Sequence, residues 1–73
     1  MLELNLTGLN CPIPVLKTKK FLANLDSGVQ VKIVTSDPAS MQDLQDFCIK
    51  TGNQLIQQTV DNNNLITTII QRR

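Results

Sequence analysis

The sequence predicts an α+β fold, a two-layer sandwich of element order β-α-β-α-β-β. In it a mixed four-stranded sheet carries two helices on one face. Three observations predict it. Short segments with apolar residues at every second position alternate with two longer segments whose apolar residues recur every three or four positions. Clusters of turn residues, Asp26-Ser27-Gly28, Gly52-Asn53 and Asp61-Asn62-Asn63-Asn64, stand between them. The chain has 73 residues, enough for one domain spanning 1–73, and shows no linker or low-complexity run.

Leu2-Glu3-Leu4-Asn5-Leu6 alternates apolar and polar residues and reads as a half-buried strand. Thr7 to Asn10 reads as a loop. From Pro12 to about Leu25 the period becomes helical, with Val15, Thr18, Leu22 and Leu25 on one face and Phe21 at its edge. Asp26-Ser27-Gly28 is expected to end this helix, with the glycine just past its end. Val29 to Val34 is rich in β-branched residues and reads as the second strand. Pro38 to about Thr51 reads as the second helix, with Met41, Leu44 and Cys48 as its apolar stripe, Phe47 beside them, and Gly52-Asn53 closing it. Gln54–Val60 and Leu65–Gln71 are expected to pair as an antiparallel hairpin, because Asn and Asp in the 61–64 turn tolerate left-handed backbone. Right-handed crossovers place both helices on one side of the sheet.

Composition excludes several functions. A domain this small has a thin core, so an enclosed pocket for a large substrate is not expected. The only aromatic residues are Phe21 and Phe47, and the net charge is +1. Stacking platforms for single strands and a basic field for duplexes are both missing, which speaks against stable nucleic-acid binding. With no His and only two Cys, a closed zinc site and Cys-His or Ser-His catalysis within the chain are not expected. No cofactor is called for. No apolar run approaches the roughly 20 residues that cross a bilayer. Met1 to Asn10 lacks the basic start and apolar block of a signal peptide. The expected location is the cytoplasm, where both cysteines stay reduced, and the expected state is a monomer.

The chemistry concentrates where helices begin. Strand, loop, X-Pro and helix occur twice, at Cys11-Pro12 and at Asp37-Pro38. Proline suits the first helical position, and the residue before it then caps the helix. Asp37 is an ordinary cap. Cys11 in the same slot is not, unless its thiolate uses the positive end of the helix dipole. Pro12 and Pro14 stiffen the first turn and take two N–H groups from it, leaving the sulfur oriented but not enclosed. The alternative for Cys11 is a small buried apolar residue. Cys48 belongs to the core stripe. Counted from the second helix start it lies some 15 Å along the axis, at about 1.5 Å per residue. A disulfide needs Cα atoms within about 7 Å, so a bond to Cys11 is not expected. Ile13 and Leu16 point away from the core face. With Lys17, Lys19 and Lys20 they form either a solvated helix face or a partner-docking patch with a basic rim.

Leu6-Thr7-Gly8-Leu9-Asn10-Cys11-Pro12-Ile13-Pro14 resembles the Cys-Pro-x-Pro signature of the TusA (SirA-like) sulfur-carrier family. Thr35-Ser36-Asp37-Pro38-Ala39 resembles its Asp-Pro-Ala start of helix two, and Asp43 and Phe47-Cys48 sit where similar members carry like residues. The resemblance covers nearly the whole chain. It implies the same β-α-β-α-β-β sandwich, with Cys11 as the persulfide-carrying residue. It further implies a cysteine desulfurase or rhodanese-like donor and a downstream sulfur-relay acceptor. In this reading the protein is a co-substrate rather than a stand-alone enzyme. Members of the family serve tRNA thiolation, sulfur oxidation, molybdenum-cofactor supply or selenium handling. Ile13 departs from the acidic residue carried there by tRNA-linked members. Two other classes remain beside it: a small RNA-binding module and a thiol redox or regulatory adaptor.

Overall fold

Alternation along the strands decides which way the sheet faces. The computed structural model describes all 73 residues, Met1–Arg73. The chain forms β1 (Leu2–Leu6), α1 (Ile13–Leu22), β2 (Gln30–Thr35), α2 (Ala39–Thr51), β3 (Gln54–Val60) and β4 (Ile66–Gln71). In β2, Val31, Ile33 and Thr35 are buried, and in β4 Ile66, Thr68 and Ile70 are. The residues between them, Lys32 and Val34, Thr67 and Ile69, lie on the opposite face and are only partly covered. The buried set joins Leu6 from β1, Leu22 from α1 and Leu44, Phe47 and Cys48 from α2 in one cluster. Both helices therefore cover the same sheet face. Each large aliphatic side chain sealed there contributes about 1.5–3 kcal/mol of apolar burial.

The sheet runs in the order β1-β2-β4-β3. β1 pairs parallel with β2, in the register Leu4↔Ile33, and β4 pairs antiparallel with both β2 and β3, with Ile33↔Thr68 and Leu55↔Ile70. β2 and β3 therefore run in the same sense with β4 inserted between them. Each helix returns the chain across the sheet in the same direction, so α1 and α2 lie side by side with their starts at one end. The β3–β4 turn forms as its residues imply. Oδ1 of Asp61 accepts the N–H groups of Asn63 and Leu65 at 2.8 and 3.0 Å, and Asn64 takes a left-handed φ of 62°.

Several boundaries shift from the sequence expectation by one residue, and the end of α1 shifts further. Helix α1 stops at Leu22, not near Leu25. Past it the bonds tighten to three-residue turns, Asn24 N–H to Phe21 O and Leu25 N–H to Leu22 O. The Leu22 carbonyl also accepts Nε–H of Arg72 at 3.0 Å, from the chain end beyond β4. Gly28 is not the glycine that closes α1. It lies at φ 88°, donates its N–H to Arg72 O at 2.8 Å, and turns the chain into β2. Gly52 does close α2 in the left-handed conformation, φ 78°, with its N–H on Cys48 O at 2.9 Å.

Candidate functional site

The parallel strand pair brings both helix starts to one end of the sheet, and two side chains tie them together. Ser36 Oγ accepts the Gly8 N–H at 2.8 Å, and Oδ2 of Asp37 accepts the Cys11 N–H at 2.7 Å. Oδ1 of Asp37 accepts the Ala39 N–H at 3.0 Å, in the manner of a helix cap. Pro38, not Asp37, occupies the capping position of α2, and Asp37 just before it bonds the Ala39 N–H with one oxygen and holds the Cys11 backbone with the other. The Cys11 and Ala39 N–H groups, in that order of effect, keep its carboxyl below the ordinary carboxylate range.

Cys11 is not the cap of α1. The Cys11–Pro12 peptide is cis, Pro12 occupies the capping position, and no side chain caps this helix. Pro12 and Pro14 carry no N–H, and the Ile13 N–H is taken by Asn10 O at 2.9 Å. The Val15 N–H is the one unpaired donor of the first turn, and it makes no bond to the sulfur. Instead Sγ–H donates to Oδ2 of Asp43 at 2.7 Å. That bond, with partial desolvation and the negative charges of Asp43 and Asp37, pushes the Cys11 thiol up, not down. The sequence expectation of a dipole-stabilised thiolate is corrected on this point. The sulfur is nevertheless in the open: Cys11 is exposed and free, while Cys48 is free and buried, its thiol pushed up to about 11 by burial. Asp43 beside Cys11 shortens the axial offset to Cys48 to roughly 7–8 Å. What separates the two sulfurs is therefore mostly the helix face, Asp43 on the flank and Cys48 in the core.

Cys11 stands at the mouth of an open groove of about 450 Å³ between the helices. Pro12, Val15, Leu16 and Lys19 form its α1 wall, and Asp43, Asp46, Phe47 and Lys50 its α2 wall. Leu16 is 54% exposed and Ile13 39%, with Ile13 outside the groove. The expected ring of lysines is split. Only Lys19 reaches the groove, joined by Lys50, whereas Lys17 and Lys20 lie with Leu4 and Phe21 on the other flank of α1. Pro14 is fully buried, so it acts as a packing residue besides stiffening the turn.

Asp43 enters the sequence reading only as a position of the family resemblance, with no role at the site. It lies 32 positions from the cysteine it touches, and no local pattern links them. The available signal is its place one turn before Phe47, which puts an acidic group at the edge of the apolar face where a neighbouring helix must lie.

The family profile described as "Sulfurtransferase TusA" matches residues 2–72. The chain belongs to the TusA family. A sulfur carrier protein TusA of Allochromatium vinosum is 42% identical over 55 residues, which cover 75% of this chain and 72% of that protein. A putative sulfur carrier protein of Neisseria meningitidis is 31% identical over 70 residues, covering 96% of this chain and 93% of its own. The crystal structure of a SirA-like protein from Desulfitobacterium hafniense superposes with a TM-score of 0.87 at 32% identity, over 97% of this chain and 96% of that one. The TusA-family fold is therefore the fold that the alternation of strands and helices predicts. No helix is long and apolar enough to cross a membrane.

Proposed function

We propose that this chain is a sulfur carrier that holds sulfane sulfur as a persulfide on Cys11. The observation that carries the reading is the exposed, free thiol that lines the inter-helix groove, the one thiol of the chain on its surface. TusA relatives named as sulfur carriers support it. Sulfur of Cys11 attacks the outer sulfur of a donor persulfide, on a cysteine desulfurase or a rhodanese-like protein. The new outer sulfur then passes to a cysteine of a relay acceptor, for tRNA thiolation or another sulfur-trafficking route. Each step exchanges one S–S bond for another, with no net redox change, so the chain needs no cofactor of its own. It acts as a co-substrate, as a monomer, in the reducing cytoplasm.

An exposed sulfur suits transfer, because both partners must bring a sulfur into line with it. Pro12 and Asp37 hold the Cys11 backbone while leaving the side chain in the open. Leu16 offers an apolar anchor, and Lys19 and Lys50 a basic margin, for partners that carry acidic residues. Intact-mass measurement after incubation with a cysteine desulfurase and cysteine tests the reading. The wild type is expected to gain one sulfur and Cys11→Ser none. A gain that survives Cys11→Ser overturns the assignment, and a mixed disulfide without transferable sulfur would favour a redox adaptor.

A further inference from the structure

Cys11 makes one side-chain hydrogen bond, and the bond carries the thiol's own proton. Sγ–H donates to Asp43 Oδ2 at 2.7 Å, and no donor bonds the sulfur. The other charged groups around it make no such contact. Asp37 is engaged with the Cys11 and Ala39 N–H groups. Asp46, Lys19 and Lys50 line the groove, and Lys17 and Lys20 stand on the far flank of α1. A group that takes a proton directly lies about 2.6–3.2 Å from the atom that bears it, and Asp43 is the group at that distance from the sulfur.

We propose that Asp43 is the proton relay of Cys11: its carboxylate holds the resting thiol protonated and takes the proton as Sγ attacks a donor persulfide. This rests on the persulfide reading above. A carboxylate is a weaker base than a thiolate by roughly 4–5 pK units. The proton therefore stays on sulfur until bond exchange makes Sγ acidic. As the Sγ–S bond forms, the donor S–S bond breaks and its electron pair leaves on the donor thiolate. The Cys11 proton moves to Asp43 Oδ2 and from there to that thiolate. The sum is Cys11 thiol plus donor persulfide anion giving Cys11 persulfide anion plus donor thiol, balanced in atoms, charge and electrons. The loaded side chain has no proton left on Sγ to share with Asp43, so carboxylate and persulfide repel. The outer sulfur, about 2.05 Å further out, is turned toward the partner. The contact thus keeps the empty carrier quiet toward stray electrophiles while letting a docked donor react.

The test compares the wild type, Asp43→Asn and Asp43→Glu by two rates across pH, each read by intact mass. One is alkylation of Cys11 by iodoacetamide. The other is sulfur uptake from glutathione persulfide, above the pH at which that donor is ionised. In Asp43→Asn the alkylation inflection is expected to fall, so that neutral alkylation rises several-fold. Wild-type uptake is expected to change little with pH and to exceed what the thiolate fraction allows. In Asp43→Asn it follows the alkylation profile, and Asp43→Glu restores the wild-type pattern. The proposal is overturned if the two alkylation profiles superimpose, or if wild-type uptake tracks its own thiolate fraction. A wild type that takes no sulfur sinks the carrier reading instead, and the alkylation profiles then decide by themselves whether Asp43 holds the proton.

Discussion

Thr18 offers a direct measure of what a mismatched polar group costs this small core. Its side chain is fully buried on the core face of α1, and Oγ1 has no hydrogen-bond partner. Two other threonines are equally buried but are paired: Thr35 with Ser40 Oγ, and Thr68 with Nε2 of Gln58 at 3.2 Å. Valine has nearly the same shape as threonine and almost the same helix propensity. Replacing Thr18 by Val therefore changes little except the hydroxyl. A buried hydroxyl without a partner costs about 1–3 kcal/mol by mutational measure. Thr18→Val is accordingly expected to stabilise the fold by roughly 1–2 kcal/mol, raising Tm by on the order of 5–15 °C for a domain of this size. Urea unfolding followed by far-UV circular dichroism reads the change as a higher midpoint at constant slope. The same substitution at Thr35 or Thr68 breaks an existing bond and is expected to cost about 0.5–1.5 kcal/mol. A Thr18→Val protein no more stable than the wild type would refute the reasoning, because it would show that the hydroxyl is satisfied in the folded chain.

Asp37 links stability to pH. Its carboxyl is held below its ordinary value of 3.8, so the folded state favours the carboxylate. The stabilisation is complete above that value and is lost as pH falls through the lower folded one. Thermal unfolding of Asp37→Asn between neutral pH and about pH 2 should show a shallower acid limb than the wild type. The groove makes a different prediction for the lysines. Lys19→Glu should slow sulfur loading from a protein donor by several-fold to about tenfold, less at high salt, while Lys17→Glu leaves it nearly unchanged. Equal effects of the two in a loading time course would contradict the split that α1 imposes.

Periodicity in single segments determined much of this molecule. The alternation in Leu2–Leu6 and the β-branched run before Thr35 set strands. Of the stripe Met41, Leu44 and Cys48 with Phe47 beside it, all but the partly buried Met41 joined the core and set the inward face of α2, and the Asn-rich turn set the closing hairpin. The Cys-Pro-x-Pro and Asp-Pro-Ala segments marked the two helix starts that the fold brings together, because prolines at helix starts are local constraints. The limits were local too. The first helix looked longer than it is because Leu25 keeps the apolar period. The helix ends at Leu22, whose carbonyl accepts both the Leu25 N–H and, from 50 positions away, Arg72.

The charge state of Cys11 was decided only in three dimensions. Local context argues for a dipole-stabilised thiolate, since the cysteine precedes a helix. Folding places Pro12 in the capping position, occupies the Ile13 N–H with Asn10, and sets the Asp43 carboxylate against the sulfur. The tertiary structure likewise divided the lysines between two flanks of α1. Backbone preference and apolar period act over a few residues and can be read along the chain. Electrostatics and hydrogen bonding act through space, between groups that only the packed helices bring together.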